Sequence, residues 1–415
     1  MPKTSDQLEL LPLTETRVAV DRDEVASTIR DANAHHFAVY PLGGETSLDF
    51  GLRARQPGVG LSLRGLGQVI DYPARDMTVT VNAGITMRAL AETLSEEHQW
   101  LPVDAPAAER ATLGGMIATN HSGPRRYGFG TLRDYVIGIQ AIDGRGQPFQ
   151  GGGRVVKNVA GYDFGKLLIG SLGTVGIVTQ VTLKVKPRPE SSRLVSCQVE
   201  TVDKAEQLLS AIANSETTPS AVEWLVGPAW DRESARLDDG SAMGNLVVGL
   251  EGTSPEVDWM GAQLEQEWKG LGVEIRQVWE PDQALHLWQQ LTDFPAQPGA
   301  PLVVKVSVLP SRVTEYVALL RELDEECSIQ VHAGNGILRA RFSESMPSDV
   351  GKLLVAQLHP TAVNMGGSAA VLSSTSTELT RQAMWGSRTA AVTMMEEIRK
   401  QFDPAGILNP GRYLY

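Results

Sequence analysis

Glycine is distributed so unevenly in this chain of 415 residues that it constrains the fold before any other feature does. Of the 41 glycines, 24 fall between Gly43 and Gly176. Helix interiors tolerate glycine poorly, at roughly 0.5–1 kcal/mol each relative to alanine, so this part reads as short strands joined by glycine turns, with few helices. Tryptophan runs the opposite way: six of eight (Trp224, Trp230, Trp259, Trp268, Trp279, Trp288) lie in one later stretch. Two differently built domains are expected, with a seam at Lys186–Ser192, a Pro- and Ser-containing link after a long strand.

Three glycine loops carry the chemistry of the first part. Pro41, Leu42, Gly43, Gly44, Glu45, Thr46 and Ser47 follow a strand, Phe37–Tyr40. Adjacent glycines let successive N–H groups point into one concavity, which holds a diphosphate without net positive charge. The Gly-Lys-Ser/Thr ending of a P-loop is absent, and a plain tight turn is the competing reading. Ala111–Gly123 (with Thr112, Gly114, Gly115, Ala118, Thr119 and Ser122) is small, hydroxylated and nearly uncharged. A helix start approached closely by an anionic ligand accounts for its double glycine, and Pro102 upstream could rim the same cavity. The third loop, Gly170–Gly176, has Gly-x-x-Gly-x-x-Gly spacing, but helix precedes it and strand follows, the reverse of a Rossmann fingerprint.

The rest of the pattern is α+β. Spacing predicts helices over Asp23–Ala34 and Met87–Glu97 and strands over Met77–Val81 and Gly176–Val185. Further on, strands at Asn245–Leu250, Val273–Trp279, Leu302–Leu309 and Ala369–Leu372 alternate with helices. One helix opens at Ser254 as N-cap with Pro255 and closes at Gly270–Gly272; others cover Arg312–Glu326, Ser348–Leu358 and Arg388–Gln401. A hairpin turns about Gly334–Gly336. Helices on one face of a mostly antiparallel sheet are expected.

Composition excludes several classes. Lys+Arg 37 against Asp+Glu 49 gives −12, which disfavours a nucleic-acid partner held by bulk electrostatics. No apolar run approaches the roughly 20 residues of a membrane span, and Met1–Leu10 lacks the features of a secretory signal, so a cytoplasmic protein is expected, with membrane association through partner subunits left open. Cys197 and Cys327 read as buried small side chains, and no spacing makes a zinc or iron–sulfur site.

The chain resembles the vanillyl-alcohol-oxidase type of FAD-linked oxidoreductase, and within it the FAD-binding subunits of bacterial glycolate oxidases. Pro41–Ser47, Ala111–Arg126, Tyr127–Asp134, Val156–Asp163, Gly170–Thr182 and Asp403–Arg412 carry the match, which is dense from about Phe37 to Val185 and thin in the middle. The resemblance implies a vanillyl-alcohol-oxidase-type FAD-binding domain over residues 1–188, an α+β cap domain over 189–386 and a C-terminal segment, 387–415, returning to the first. It implies FAD held by the first loop and by Thr112–Thr119, with Ser122, Gly123, Tyr127, Gly128, Gly173, Gly176, Ile177, Val178 and Asn409 contributing. Lys157, Tyr162 and Asp163 either face the flavin or order a covering loop. Glu45 stands where covalently flavinylated relatives carry histidine, so non-covalent FAD is expected.

A second departure bears on catalysis. Catalytic 2-hydroxy-acid dehydrogenases of this family carry a His-x-Gly-Asp-Gly-Asn-x-His hairpin and a later Gly-Glu-His-Gly-Ile-Gly. Here the hairpin keeps His332 but has Arg339 at the second histidine, and Met365–Ala370 contains neither Glu nor His. The resemblance then implies an accessory flavin subunit, partnered by a catalytic flavin subunit and an iron–sulfur subunit. A self-sufficient oxidoreductase using Arg125, His332 or Arg339 as substrate ligands stays open, as does an assembly subunit with structural FAD. His332 reads as a substrate-side base or a structural histidine, Arg125 and Arg126 as anion ligands, a solvated corner or a contact to a partner subunit, and His121 as an FAD contact or a polar loop residue.

Overall fold

The computed structural model describes residues 10–153, 162–230, 243–376 and 378–415. Lys157 and the rest of the Val156–Gly161 motif lie outside the described residues. The chain forms two compact units. The first comprises Met1–Ser122, Thr131–Arg188 and Arg388–Tyr415, and the second Gly123–Gly130 and Pro189–Ser387. The sequence reading kept Gly123–Gly130 with the first part. Its place in the second unit rests on long-range backbone pairing, in which Gly128 N–H donates to Ser220 O at 3.0 Å. A Cβ at Gly128 would lie 2.8 Å from Ser220 Cα, so only glycine permits the approach.

In the first unit, β1 (Leu13–Val18), β2 (Ala38–Leu42) and β3 (Gly58–Ser62) form a parallel sheet in the order β1-β3-β2. The helix Arg22–His35 is capped by Asp21 and buries Val25, Ile29 and Ala32 in a core with Val39 and Leu61. An antiparallel sheet follows, built from β4 (Val69–Asp71), β5 (Thr78–Asn82), β7 (Val136–Ile142), β8 (Pro148–Gly152) and β9 (Ile177–Lys184) in the order β4-β5-β9-β7-β8. Its interior, Val79, Val81, Val181 and Leu183, packs on Leu90 and Leu94 of the helix Met87–Ser95. The short β6 (Gln99–Trp100) pairs with β10 (Lys186–Pro187), which ends the segment. The helix Ala390–Phe402 and the tail after it belong to this unit.

The second unit is one eight-stranded antiparallel sheet. Its strands are β11 (Ser191–Gln198), β12 (Ala221–Val226), β13 (Asn245–Gly252), β14 (Gln277–Trp279), β15 (Leu302–Ser307), β16 (Ser328–His332), β17 (Ile337–Phe342) and β18 (Ser368–Ser374), in the order β14-β11-β13-β12-β16-β17-β15-β18. The tryptophans Trp230, Trp279 and Trp288 fill a core with Leu194, Leu225, Val247 and the helix Pro281–Asp293. The sequence reading placed helices on a single face. β12 is buried along its whole length, so both faces are covered there, and Leu291 of Pro281–Asp293 meets Gln330 on the face that carries Glu223.

Three element ends differ from expectation for local reasons. The helix Ser254–Gly270 is capped by Thr253, whose reciprocal box with Glu256 outcompetes Ser254. Val273–Arg276 is not strand, and only Gln277–Trp279 pairs. The helix expected over Ser348–Leu358 runs as Val350–Leu353, a π-turn at Leu354–Leu358 and a further helix to Asn364. Pro360 within that run has no N–H to give and crowds the carbonyl a turn earlier, which favours the wider turn.

Candidate functional site

The first unit holds a cleft assembled from all three glycine loops and the C-terminal tail. Its wall includes Pro41, Gly43, Gly44, Glu45, Thr46 and Ser47 from the first loop, and Thr112, Gly114, Gly115, Ala118 and Thr119 from the second. Gly173, Gly176, Ile177 and Val178 come from the third, and Asn409 and Arg412 from the tail. Pro102 and Ser122 do not line it, and Gly123, Tyr127 and Gly128 belong to the second unit. Leu11, Leu48, Phe50, Leu63 and Leu168 also line it; sequence reasoning missed them because an apolar residue there carries no local signal beyond burial.

The glycines divide by what they face. A Cβ at Gly43 would meet Thr112 Oγ1 at 2.3 Å, and one at Gly44 would meet Arg110 O at 1.8 Å. Those two are glycine because the first loop lies directly on the second. Gly114 packs on Ala83 and donates to Ala83 O at 2.7 Å. Gly115 is different: its added Cβ would meet only Thr112 Oγ1, at 3.2 Å, and otherwise faces open space. Thr112 caps the helix Leu113–Thr119 by accepting from Gly115 N–H, and Thr119 Oγ1 donates to Gly115 O at 2.9 Å.

The tail locks the cleft. Asn409 holds φ 45°, donates through its backbone N–H to Val39 O at 2.9 Å, and through Nδ2 to Leu172 O at 2.6 Å. Arg412, 3% exposed, donates to Leu52 O at 2.7 Å, Phe50 O at 3.2 Å and Leu48 O. Burial lowers its pKa to about 10 against the pull of Asp49 and Tyr40, and burial raises the Tyr40 hydroxyl to about 12. Three of its N–H groups go to the Leu48, Phe50 and Leu52 carbonyls, which ties the guanidinium to that loop. Small polar loops beside an aliphatic wall suit a long ligand with a diphosphate and flat heteroaromatic ends. FAD fits that description. Thr46, Ser47 and Gly115 would lie along its diphosphate, and Ile177 and Val178 would bound a ring.

Other candidates settle elsewhere. Tyr162 is 84% exposed, and Asp163 caps the helix Phe164–Leu168, accepting from Lys166 N–H at 3.0 Å. His121 follows the left-handed Asn120 that ends the helix Leu113–Thr119. Cys197 and Cys327 are buried free thiols. Arg125 is held by the buried Glu251 carboxylate at 3.0 Å and stacks over Trp288 at 3.8 Å.

His332 and Arg339 lie in the second unit, on one face of its sheet. In antiparallel pairing, directly opposed residues share a face. Lys305 opposes Arg339, Arg339 opposes Gln330, and His332, two residues beyond Gln330, opposes Glu223. Glu223 Oε1 lies 2.6 Å from His332 Nδ1, and Gln330 Nε2 donates to Glu223 Oε2 at 2.9 Å. A carboxylate only accepts, so Nδ1 carries the proton and Nε2 is the ring's basic nitrogen. Lys305 is lowered to about 8, first by burial and then by Arg339 and Arg126. Glu223, Gln330 and Lys305 were not picked out from sequence. The signal was there: an acid inside Ala-Val-Glu-Trp-Leu-Val and a lysine inside Leu-Val-Val-Lys-Val-Ser are charges in strands otherwise fit for burial. Gly366 and Gly367 enter β18, and a Cβ at Gly367 would meet Ser307 O at 1.8 Å; this turn has no acid or histidine.

Residues 17–151 match the FAD binding domain family, and residues 188–413 match the family described as FAD linked oxidases, C-terminal domain. The chain belongs to the FAD-linked oxidases. FAD is its cofactor, and it is an oxidoreductase. Among relatives of this family member, the glycolate oxidase subunit GlcD of Bacillus subtilis is 24% identical over 94% of this chain and 86% of that protein. The D-2-hydroxyglutarate dehydrogenase of Xanthomonas citri pv. viticola is 28% identical over 94% and 87%, and the glycolate oxidase subunit GlcE of Escherichia coli 28% identical over 94% and 93%. The fold is that of p-cresol methylhydroxylase, whose substrate-bound structure superposes with a TM-score of 0.74 at 16% identity over 99% of this chain and 92% of that one. Among the described residues no helix is long and apolar enough to cross a membrane, and no group of three or more His, Cys, Asp or Glu could hold a metal ion.

Proposed function

We propose that this FAD-linked oxidase is the FAD-binding subunit of a glycolate-oxidase-type complex that oxidises a 2-hydroxy acid and passes the electrons to partner subunits, a catalytic flavin subunit and an iron–sulfur subunit. When bound, FAD supplies the acceptor for the α-carbon hydride. The chain's part is to hold it non-covalently through the Gly43–Ser47 and Thr112–Thr119 loops, with Glu45 unable to form a histidyl linkage. The observation that carries the subunit reading is the remodelled hairpin: Arg339 in place of a second histidine on β17, and no acid or histidine at Met365–Ala370. The near full-length similarity to a protein named glycolate oxidase subunit GlcE supports the same reading.

A second reading, a self-sufficient oxidoreductase, is favoured by the Glu223–His332 pair, in which a carboxylate orients an imidazole as a general base requires. Anaerobic addition of glycolate or D-lactate to the purified chain separates the two. The subunit reading expects FAD that acid or heat releases, negligible bleaching by the isolated chain, and bleaching when the partner chains are co-purified. Fast bleaching by the chain alone, lost in His332→Ala, selects the second reading. A colourless protein that cannot be reconstituted with FAD sinks both.

A further inference from the structure

We propose that Tyr415 is a positioning residue for FAD, acting through Thr174 to hold the turn Gly170–Gly173 in a left-handed shape against the cofactor cleft. Ser171, Leu172 and Gly173 of that turn line the cleft, while Tyr415 and Thr174 stand behind them.

The turn is unfavourable for its sequence. Gly170 (φ 85°), Leu172 (φ 52°) and Gly173 (φ 69°) all take the left-handed region, which glycine enters freely and leucine does not. A residue so placed persists only where its surroundings over-determine it. On one side the helix Leu113–Thr119 supplies the anchors: Gly170 N–H donates to Ile117 O at 2.8 Å and Leu172 N–H to Ala118 O at 2.9 Å. The tail supplies two more. Asn409 Nδ2 donates to Leu172 O at 2.6 Å, and the Tyr415 hydroxyl lies 2.7 Å from Thr174 Oγ1. A threonine hydroxyl has one proton, and that of Thr174 goes to Ser171 O at 2.6 Å, so Tyr415 is the donor. Hydrogen bonds therefore run from Tyr415 through Thr174 to Ser171, inside the turn, and each polarises the next. The Tyr415 ring is itself held, with the Arg399 guanidinium 5.4 Å from its centre and Tyr413 edge-on at 5.3 Å. What this latch fixes is a wall of the cleft. An added Cβ at Gly173 would meet Pro41 Cγ at 2.8 Å, so the turn lies directly on the first loop. Without the Tyr415 hydroxyl, Leu172 can relax out of the left-handed region, the turn shifts from Pro41 and FAD leaves faster.

Release of FAD from the loaded full chain, followed as recovery of flavin fluorescence after dilution, tests this alongside the thermal midpoint of the apo-protein. Tyr415→Phe keeps the ring and removes the hydroxyl. It should speed release ~3–10-fold with the apo midpoint unchanged, because the strain relieved at Leu172 offsets the bond lost. Thr174→Val should act alike, and the double variant should release FAD no faster than either single one, since both remove one interaction. Thr174→Ser, which keeps the hydroxyl, should release FAD at the parental rate. Leu172→Gly removes the strain that the latch opposes, so in that background Tyr415→Phe should change release by less than ~2-fold. An unchanged release rate in Tyr415→Phe overturns the proposal. Faster release that comes with a lower apo midpoint and is undiminished in the Leu172→Gly background also overturns it, since Tyr415 would then serve only the stability of the first unit.

Discussion

Glu223 and His332 meet across β12 and β16 with carboxylate and Nδ1 2.6 Å apart, each side chain 1% exposed. A buried pair of this kind is held by its hydrogen bonds rather than by net Coulomb gain, because desolvation of both groups offsets most of the attraction. Gln330 completes it by donating to the second carboxylate oxygen and to Leu291 O, tying the pair to the helix Pro281–Asp293.

Removing one member leaves the other buried without its partner. Glu223→Ala is expected to cost about 3–5 kcal/mol in urea unfolding of the second unit. His332→Ala should cost a similar amount. The double variant should fall short of the sum by about 1–3 kcal/mol, the coupling expected of residues in one hydrogen-bonded network. Additive losses would mean that the two side chains do not interact in solution.

Lys305 carries a pH dependence of definite sign. Its pKa is about 8 in the folded chain against 10.5 ordinarily, so between those values the unfolded chain binds more protons. Stability attributable to this group therefore rises with pH through that window, and the penalty is complete below about 8. Lys305→Met should accordingly stabilise the chain at pH 7 by up to about 3 kcal/mol, and the advantage should fade as pH approaches about 10.5. Denaturant midpoints across that range check it; a variant less stable than the parent at pH 7 contradicts it.

Much of this was readable from single residues. The glycine loops announced the cleft because Gly43, Gly44 and Gly114 are each forced by a backbone or side-chain neighbour, and such constraints leave no other residue type. The strands over Met77–Val81 and Gly176–Val185 followed from alternation alone. What stayed hidden is non-local. Gly128 joins the second unit through Ser220, and Lys305 meets Arg339 through a strand register that no local window encodes. Arg412 likewise sits in a terminal Asn-Pro-Gly-Arg turn, and nothing nearby in sequence says that it holds a loop at Leu48–Leu52.

That loop gives the third prediction. Arg412→Ala removes the donor shared by Leu48 O, Phe50 O and Leu52 O and leaves carbonyls in a buried setting without it. The loss should be about 2–4 kcal/mol in the first unit, with weaker FAD retention on gel filtration. Arg412→Lys should rescue only part, since one ammonium cannot reproduce the forked donation to three carbonyls. Full rescue by lysine would mean that charge alone, not the fork, holds the loop.

Gly44 and Gly115 should separate folding from binding within one cleft. A methyl at Gly44 would sit 1.8 Å from Arg110 O, a backbone atom that cannot move without shifting the second loop. Gly44→Ala should therefore lower both the thermal midpoint of the first unit and its flavin content. At Gly115 the same Cβ meets only Thr112 Oγ1 at 3.2 Å, a contact a few tenths of an ångström of adjustment relieves. Gly115→Asp should leave the apo-protein folded with near-parental circular dichroism. It should still lose FAD at least ~30-fold, because its carboxylate would lie beside the diphosphate. Gly115→Ala, with the Cβ but no charge, should fall between the two. If Gly115→Asp retains stoichiometric flavin, the diphosphate does not lie along Thr112–Thr119, and the cleft binds its cofactor in another orientation.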